Sequence, residues 1–92
     1  MLSDKLKERF TPRAKEEAKK LLKELNISKL NDNNLYEVEL ELDSRVSSLV
    51  DDDEYYHLPI DRELLEIYDT LTDIILDNEE DFDFLNNLFL DK

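Results

Sequence analysis

No cysteine and no glycine occur among the 92 residues. Without cysteine, neither a disulfide framework nor a thiolate metal site can be built. Without glycine, P-loop and dinucleotide-binding fingerprints are excluded outright. Glycine is also the usual source of positive φ in tight hairpins and helix caps. Its absence favours helices joined by Asn- and Asp-rich turns, since those residues tolerate the left-handed region best after glycine. Long apolar runs are missing too. None approaches the roughly 18 residues that span a bilayer, and the first residues lack the apolar core of a secretory signal. Asn26-Ile27-Ser28 matches a glycosylation acceptor and, without such a signal, is read as chance. A cytoplasmic location with no membrane association is the expectation.

Charge is what the chain has in excess. Twenty-five Asp and Glu oppose twelve Lys and Arg, a net charge of −13. The signs are segregated. Residues 1–30 carry nine bases and five acids, a net of +4, whereas residues 31–92 carry three bases and twenty acids, a net of −17. Folding does not demand so uneven a surface, because net charge bears on partners and association rather than on fold. At 92 residues with 40% hydrophobic content, the chain is expected to form one small acidic domain over residues 1–92, with a thin core.

Along the chain, Ser3 is placed to cap a short helix over Asp4 to Phe10. Thr11-Pro12 restarts it, with Thr11 as N-cap and proline at the first helical position. The apolar stripe Leu6, Phe10, Ala14, Ala18, Leu21, Leu22 and Leu25 keeps helical spacing to about Asn26. One kinked helix or two nearly collinear ones are expected, with a basic ridge of Lys15, Lys19 and Lys23 beside Arg13 and Lys20. Asn31 to Asn34 form a turn cluster. Tyr36 to Leu42 alternates strictly, which predicts a strand over 35–43, with Arg45 to Val50 as its partner or a short helix. A helical reading competes, since Leu35, Val38, Leu42, Val46 and Leu49 also fit helical spacing, but it turns Glu39 toward the apolar face. Asp51 to Glu54 reads as an acidic loop and Tyr55 to Ile60 as extended, because Pro59 disfavours helix in the residue before it. Asp61 caps a helix over 62–78. A last helix near 81–90 is apolar on too many sides to stand free, so it closes the core or buries in a partner. The expected fold is thus α+β, helix-dominated, with a short strand pair near 35–50. An all-α helical bundle is the alternative.

The sharpest functional feature lies on the helix after Asp61. Glu66, Asp69, Asp73 and Asp77 fall within about 80° of arc, with Glu63 and Glu80 just beside them, and successive carboxylates are about 4.5–6 Å apart along the axis. This row approaches the charge density of a nucleic-acid backbone, about one charge per 1.7 Å counting both strands. A basic groove would attract it as it attracts phosphates. Asp51, Asp52, Asp53 and Glu54 with Tyr55 and Tyr56 form a second candidate contact, because tyrosine supplies rigid amphipathic area at interfaces. The plainer readings are a solvated helix face for the row and a solvated loop with core tyrosines for the run.

Catalytic and metal-binding residues are expected to be none. No nucleophile elbow, oxyanion-hole motif or ligand spacing is present, and no Asn/Asp cluster has a Glu at the twelfth position of an EF-hand loop. His57, the lone histidine, reads as a packed or capping residue. No cofactor is expected. Direct nucleic-acid binding through the basic ridge is disfavoured by the −17 on the rest of the chain. The ridge is instead expected to dock on the acidic body of its own chain or of a second copy, making a homodimer, or to be plain solvated helix surface. In overall type (short, acidic, cysteine-free, without catalytic motifs) the chain is similar to small phage or mobile-element proteins that occupy basic nucleic-acid sites on host enzymes. That similarity implies a non-enzymatic inhibitor or DNA mimic with an anti-CRISPR, anti-restriction or related role. The alternative is an interaction module such as an antitoxin-like neutraliser, adaptor or assembly subunit.

Overall fold

The computed structural model describes residues 2–90. Five helices follow one another: α1 (Asp4–Arg9), α2 (Pro12–Glu24), α3 (Leu35–Tyr56), α4 (Arg62–Asp77) and α5 (Phe82–Leu90). Most starts follow from a single side chain. Ser3 Oγ accepts from Leu6 N–H at 3.3 Å, and Thr11 Oγ1 from Ala14 N–H at 3.2 Å. Asp61 Oδ1 accepts from Leu64 N–H at 3.0 Å, and Asp81 Oδ1 from Phe84 N–H at 3.1 Å. Each satisfies an amide that the helix itself leaves unpaired. Phe10 and Thr11 separate α1 from α2.

The α2 terminus shows how a glycine-free chain ends a helix. Asn26 adopts φ 58°, in the left-handed region. Its N–H donates to the Lys23 carbonyl at 3.0 Å and that of Ile27 to the Leu22 carbonyl at 2.9 Å. This is a Schellman motif, with Ile27 and Leu22, both buried, as its apolar pair. The chain then turns through Asn31–Asn34. Asn31 Oδ1 accepts from Asn33 N–H at 2.8 Å, and Asn34 Oδ1 from Asn31 N–H at 2.9 Å. Asn34 is thereby occupied with the turn and caps α3 with no side-chain hydrogen bond.

The strand pair expected near 35–50 is absent: the described residues contain helix and no strand. Residues 35–56 form one 22-residue helix, with Leu35, Val38 and Leu42 buried and Val46 and Leu49 packed against the core. The fold is therefore the all-helical alternative. The alternation that suggested a strand arises because α3 carries apolar residues on two sides, Leu35, Val38 and Leu42 inward and Tyr36 and Leu40 outward, with Glu37, Glu39 and Glu41 between them. The objection from Glu39 is met by its place at the edge of the buried face, half-buried rather than enclosed. Asp51 to Tyr56, expected as loop and extended chain, are also helical. The helix continues through them because the packed turns at Val46 and Leu49 have already nucleated it, and propagation is easier than nucleation.

One apolar core joins all five helices. Leu6 enters it from α1, Ala14, Ala18, Leu21 and Leu22 from α2, Ile67, Leu71, Ile74 and Ile75 from α4, and Leu85 and Phe89 from α5. Of the two outcomes open for the C-terminal helix, it closes the core. Phe89 also meets Phe10 at 6.0 Å between ring centroids. A polar clamp fixes α5. Asn86 Oδ1 accepts from Leu30 N–H at 2.7 Å, and Asn86 Nδ2 donates to the Leu30 carbonyl at 3.0 Å. Leu30 itself is fully buried, so both backbone groups depend on this amide. Asn86→Ala should lower stability by about 1–3 kcal/mol, the usual cost of unsatisfied buried groups. At the α2 terminus, Asn26→Gly should be neutral or stabilising, while Asn26→Val should cost about 1–2 kcal/mol through its Cβ branch in the left-handed region. Urea melts of the three variants check both expectations.

Candidate functional site

Glu63, Glu66, Asp69, Asp73 and Asp77 all lie exposed on α4, as the helical spacing required. The row is not left to solvent alone. Arg9, ending α1, points into it, with Nη1 3.4 Å from Asp73 Oδ2 and Nε 3.8 Å from Glu66 Oε1. That Nε is buried and makes no hydrogen bond, so its contact with Glu66 is ionic only. Arg13, at the start of α2, reaches Asp61 at 3.0 Å and Glu63 at 3.1 Å. Hydrogen bonds to Asp61 and Glu63 hold the Arg13 guanidinium above its ordinary pKa. Asp61 is held below the usual carboxylate range, first by the Leu64 N–H it caps and then by Arg13. Of the five residues in the row, Asp69 and Asp77 have no ion pair among the described residues.

A third arginine ties the bundle together. Arg45 on α3 pairs with Glu24 of α2 and, at 2.9 Å, with Glu41 one turn back. It donates to Tyr68 Oη of α4 at 3.3 Å and lies 5.8 Å over the Tyr68 ring. Burial opposes its charge, but the bonds to Glu24, Tyr68 and Glu41 prevail and raise its pKa. Glu24 is lowered, chiefly by the hydrogen bond from Arg45. Every ion pair among the described residues uses Arg9, Arg13 or Arg45. Of the basic ridge, Arg13 docks on the chain's own acids, and Lys15, Lys19, Lys20 and Lys23 form no ion pair there. Sequence reasoning passed over Arg9 and Arg45. The signal was present for Arg45, the lone cation in the acidic stretch between residues 31 and 61.

The second candidate group sits at the far end of α3. Asp51, Asp52, Asp53 and Glu54 occupy its last turns, where no basic residue is present. Tyr55 and Tyr56 are 68% and 69% exposed, so they are not the core tyrosines of the plainer reading. Val50 and Leu58 are exposed beside them. Of the two readings for His57, packed or capping, it is the cap, at the end of a helix rather than in the extended stretch expected there. It ends the helix in the left-handed region at φ 53°, and the Asp52 carbonyl accepts from the N–H groups of His57 and Leu58. Histidine is among the few non-glycine residues enriched there.

Around the α4–α5 turn, Asp77, Glu79, Glu80 and Asp81 line an open depression of about 470 Å³. A neighbouring hollow of about 280 Å³ is lined by Glu39, Glu79, Phe82 and Asp32, among others. Glu39 has its pKa raised, mainly by burial and then by the neighbouring charge of Glu79. Among the described residues no group of three or more His, Asp or Glu side chains is placed to hold a metal ion. No helix among them is long and apolar enough to cross a membrane. No family model, curated protein or solved structure matches the chain, so its own residues are the ground for a functional reading.

Because Glu39 is raised in the folded state, its contribution favours folding at low pH and is lost as pH rises through its folded pKa. Glu39→Gln should therefore raise the melting temperature at neutral pH. The gain should shrink as pH falls into the carboxylate range, where native Glu39 is protonated. Thermal melts of both proteins across pH check this.

Proposed function

We propose that the protein is a non-enzymatic acidic binding protein, an inhibitor or nucleic-acid mimic that occupies a basic nucleic-acid-binding site on a partner protein in the cytoplasm. The observation that carries the reading is the set of carboxylates that no arginine of the chain reaches. Among the described residues, Asp69 and Asp77 on α4, the Asp51–Glu54 run on α3 and Glu79 to Asp81 in the α4–α5 turn remain outside the ion pairs. Internal pairing neutralises part of the α4 row, so the mimicking surface is broader than that row and less regular than a phosphate backbone. Fast, salt-sensitive association with a basic surface follows from such a field. An anti-CRISPR or anti-restriction role on a nuclease, and related roles on a repair enzyme or polymerase, belong to this class.

Exposure of Tyr55 and Tyr56 favours a second reading, an interaction module that recognises one folded partner through aromatic anchors. The aromatics of α5 do not add to that anchor, since Phe89 is buried and Phe82 and Phe84 pack on the core. Affinity capture from the native host at two salt concentrations, with and without added duplex DNA, separates the two. The mimic reading predicts that the captured proteins bind nucleic acid, that DNA displaces them and that salt weakens capture. Capture indifferent to DNA and lost on Tyr55→Ala would favour the module.

A further inference from the structure

We infer that the exposed end of α3 and the turn after it, residues 50–58, form a docking surface for arginine side chains of a protein partner. The inference rests on the basic-partner reading and specifies which residues of the partner are recognised and where. Val50, Tyr55, Tyr56 and Leu58 are apolar and aromatic side chains that stand exposed around this end of the helix, uncovered by the described residues. Within 50–59 only Asp52 is half-buried. At 100° per residue, Glu54, Tyr55, Tyr56 and Asp53 point in four directions around the last turn. A flat surface meets one of these directions at a time. A partner that engages the whole turn must therefore surround it, so the surface fits a cleft.

The charge at this place fixes the chemistry of the occupant. Asp51 to Glu54 stand at the negative end of the α3 macrodipole with no basic residue in the last turn, an arrangement that opposes helix formation. A cation from outside relieves both the dipole and the mutual repulsion of the four acids. Among cations, arginine suits carboxylates interleaved with tyrosine rings best, since its planar guanidinium pairs with carboxylates and stacks on aromatic faces, and lysine's ammonium does the first without the second as well. The chain contains its own instance of this recognition. Arg45 is held by the carboxylates of Glu24 and Glu41 and by the ring and hydroxyl of Tyr68. The end of α3 presents the same residue types, and every ion pair among the described residues likewise uses arginine rather than lysine.

Titration of the ¹⁵N-labelled full chain with nona-arginine and nona-lysine peptides at low salt tests the inference. Shifts caused by nona-arginine should concentrate on residues 50–58, including the two tyrosine rings. Its affinity should exceed that of nona-lysine by about two- to fivefold, the range of an exposed cation–π contact. Tyr55→Leu/Tyr56→Leu should erase that preference and Tyr55→Phe/Tyr56→Phe should keep it. Both tyrosines are exposed, so the variants retain the fold, which far-UV circular dichroism verifies. Equal affinity for the two peptides, or shifts centred on Glu63–Asp77 or on the α4–α5 turn, would overturn the inference and leave the basic-partner reading standing. Failure of both peptides to bind would overturn the two together.

Discussion

Mutual repulsion among carboxylates is the constraint on which the rest of this structure turns. A net charge of −13 is confined to a body with a Cα radius of gyration of 13.3 Å, and net charge of that size works against any compact state. The apolar core supplies the cohesion. Three arginines then act where acidic helices have to approach one another. Arg9 and Arg13 bring α1 and α2 onto the acidic side of α4, and Arg45 joins α3 to α2 and α4. Most of these pairs are partly exposed, so each is worth little alone. Their effect is on placement: they decide which acids are spent inside the fold and which face outward.

That division shapes the functional reading. A row of carboxylates on α4 invites comparison with a phosphate backbone, yet Glu63, Glu66 and Asp73 already have arginine partners within the chain. The acids at the end of α3 have none among the described residues, and they stand where the helix dipole makes them least welcome. Local features that fold stability does not explain tend to mark functional places. Here the misfit coincides with two exposed tyrosines and an exposed leucine, which shifts the weight of the account from the α4 row toward the α3 end.

Much of the fold was legible because single side chains set it. Ser3, Thr11 and Asp61 cap the helices that their spacing announced, Asn26 supplies the left-handed terminus that glycine usually makes, and the periodic apolar stripe running into α2 packs into the core. The segment 35–56 was misread for an identifiable reason. A period of two and a period of 3.6 both pass through Val38 and Leu42, and acids at every second position sharpened the wrong one. The run Asp51–Glu54 looked like a loop because aspartate is a poor helix former, whereas α3 is carried through it by packing further back. At the candidate sites, membership of α4 could be read from spacing, but the pairing of Arg9 with Asp73 spans 64 residues. No local pattern contains such a contact.

The central claim is that the carboxylates of this chain repel one another more than its arginines bind them. Thermal melting of the native chain at neutral pH, in low and then moderate salt, tests it most directly, because salt screens exposed charges over about 10 Å at 0.1 M. The account predicts that the melting temperature rises with sodium chloride, since relief of repulsion outweighs the weakening of the arginine pairs. A melting temperature that falls as salt is added would contradict it.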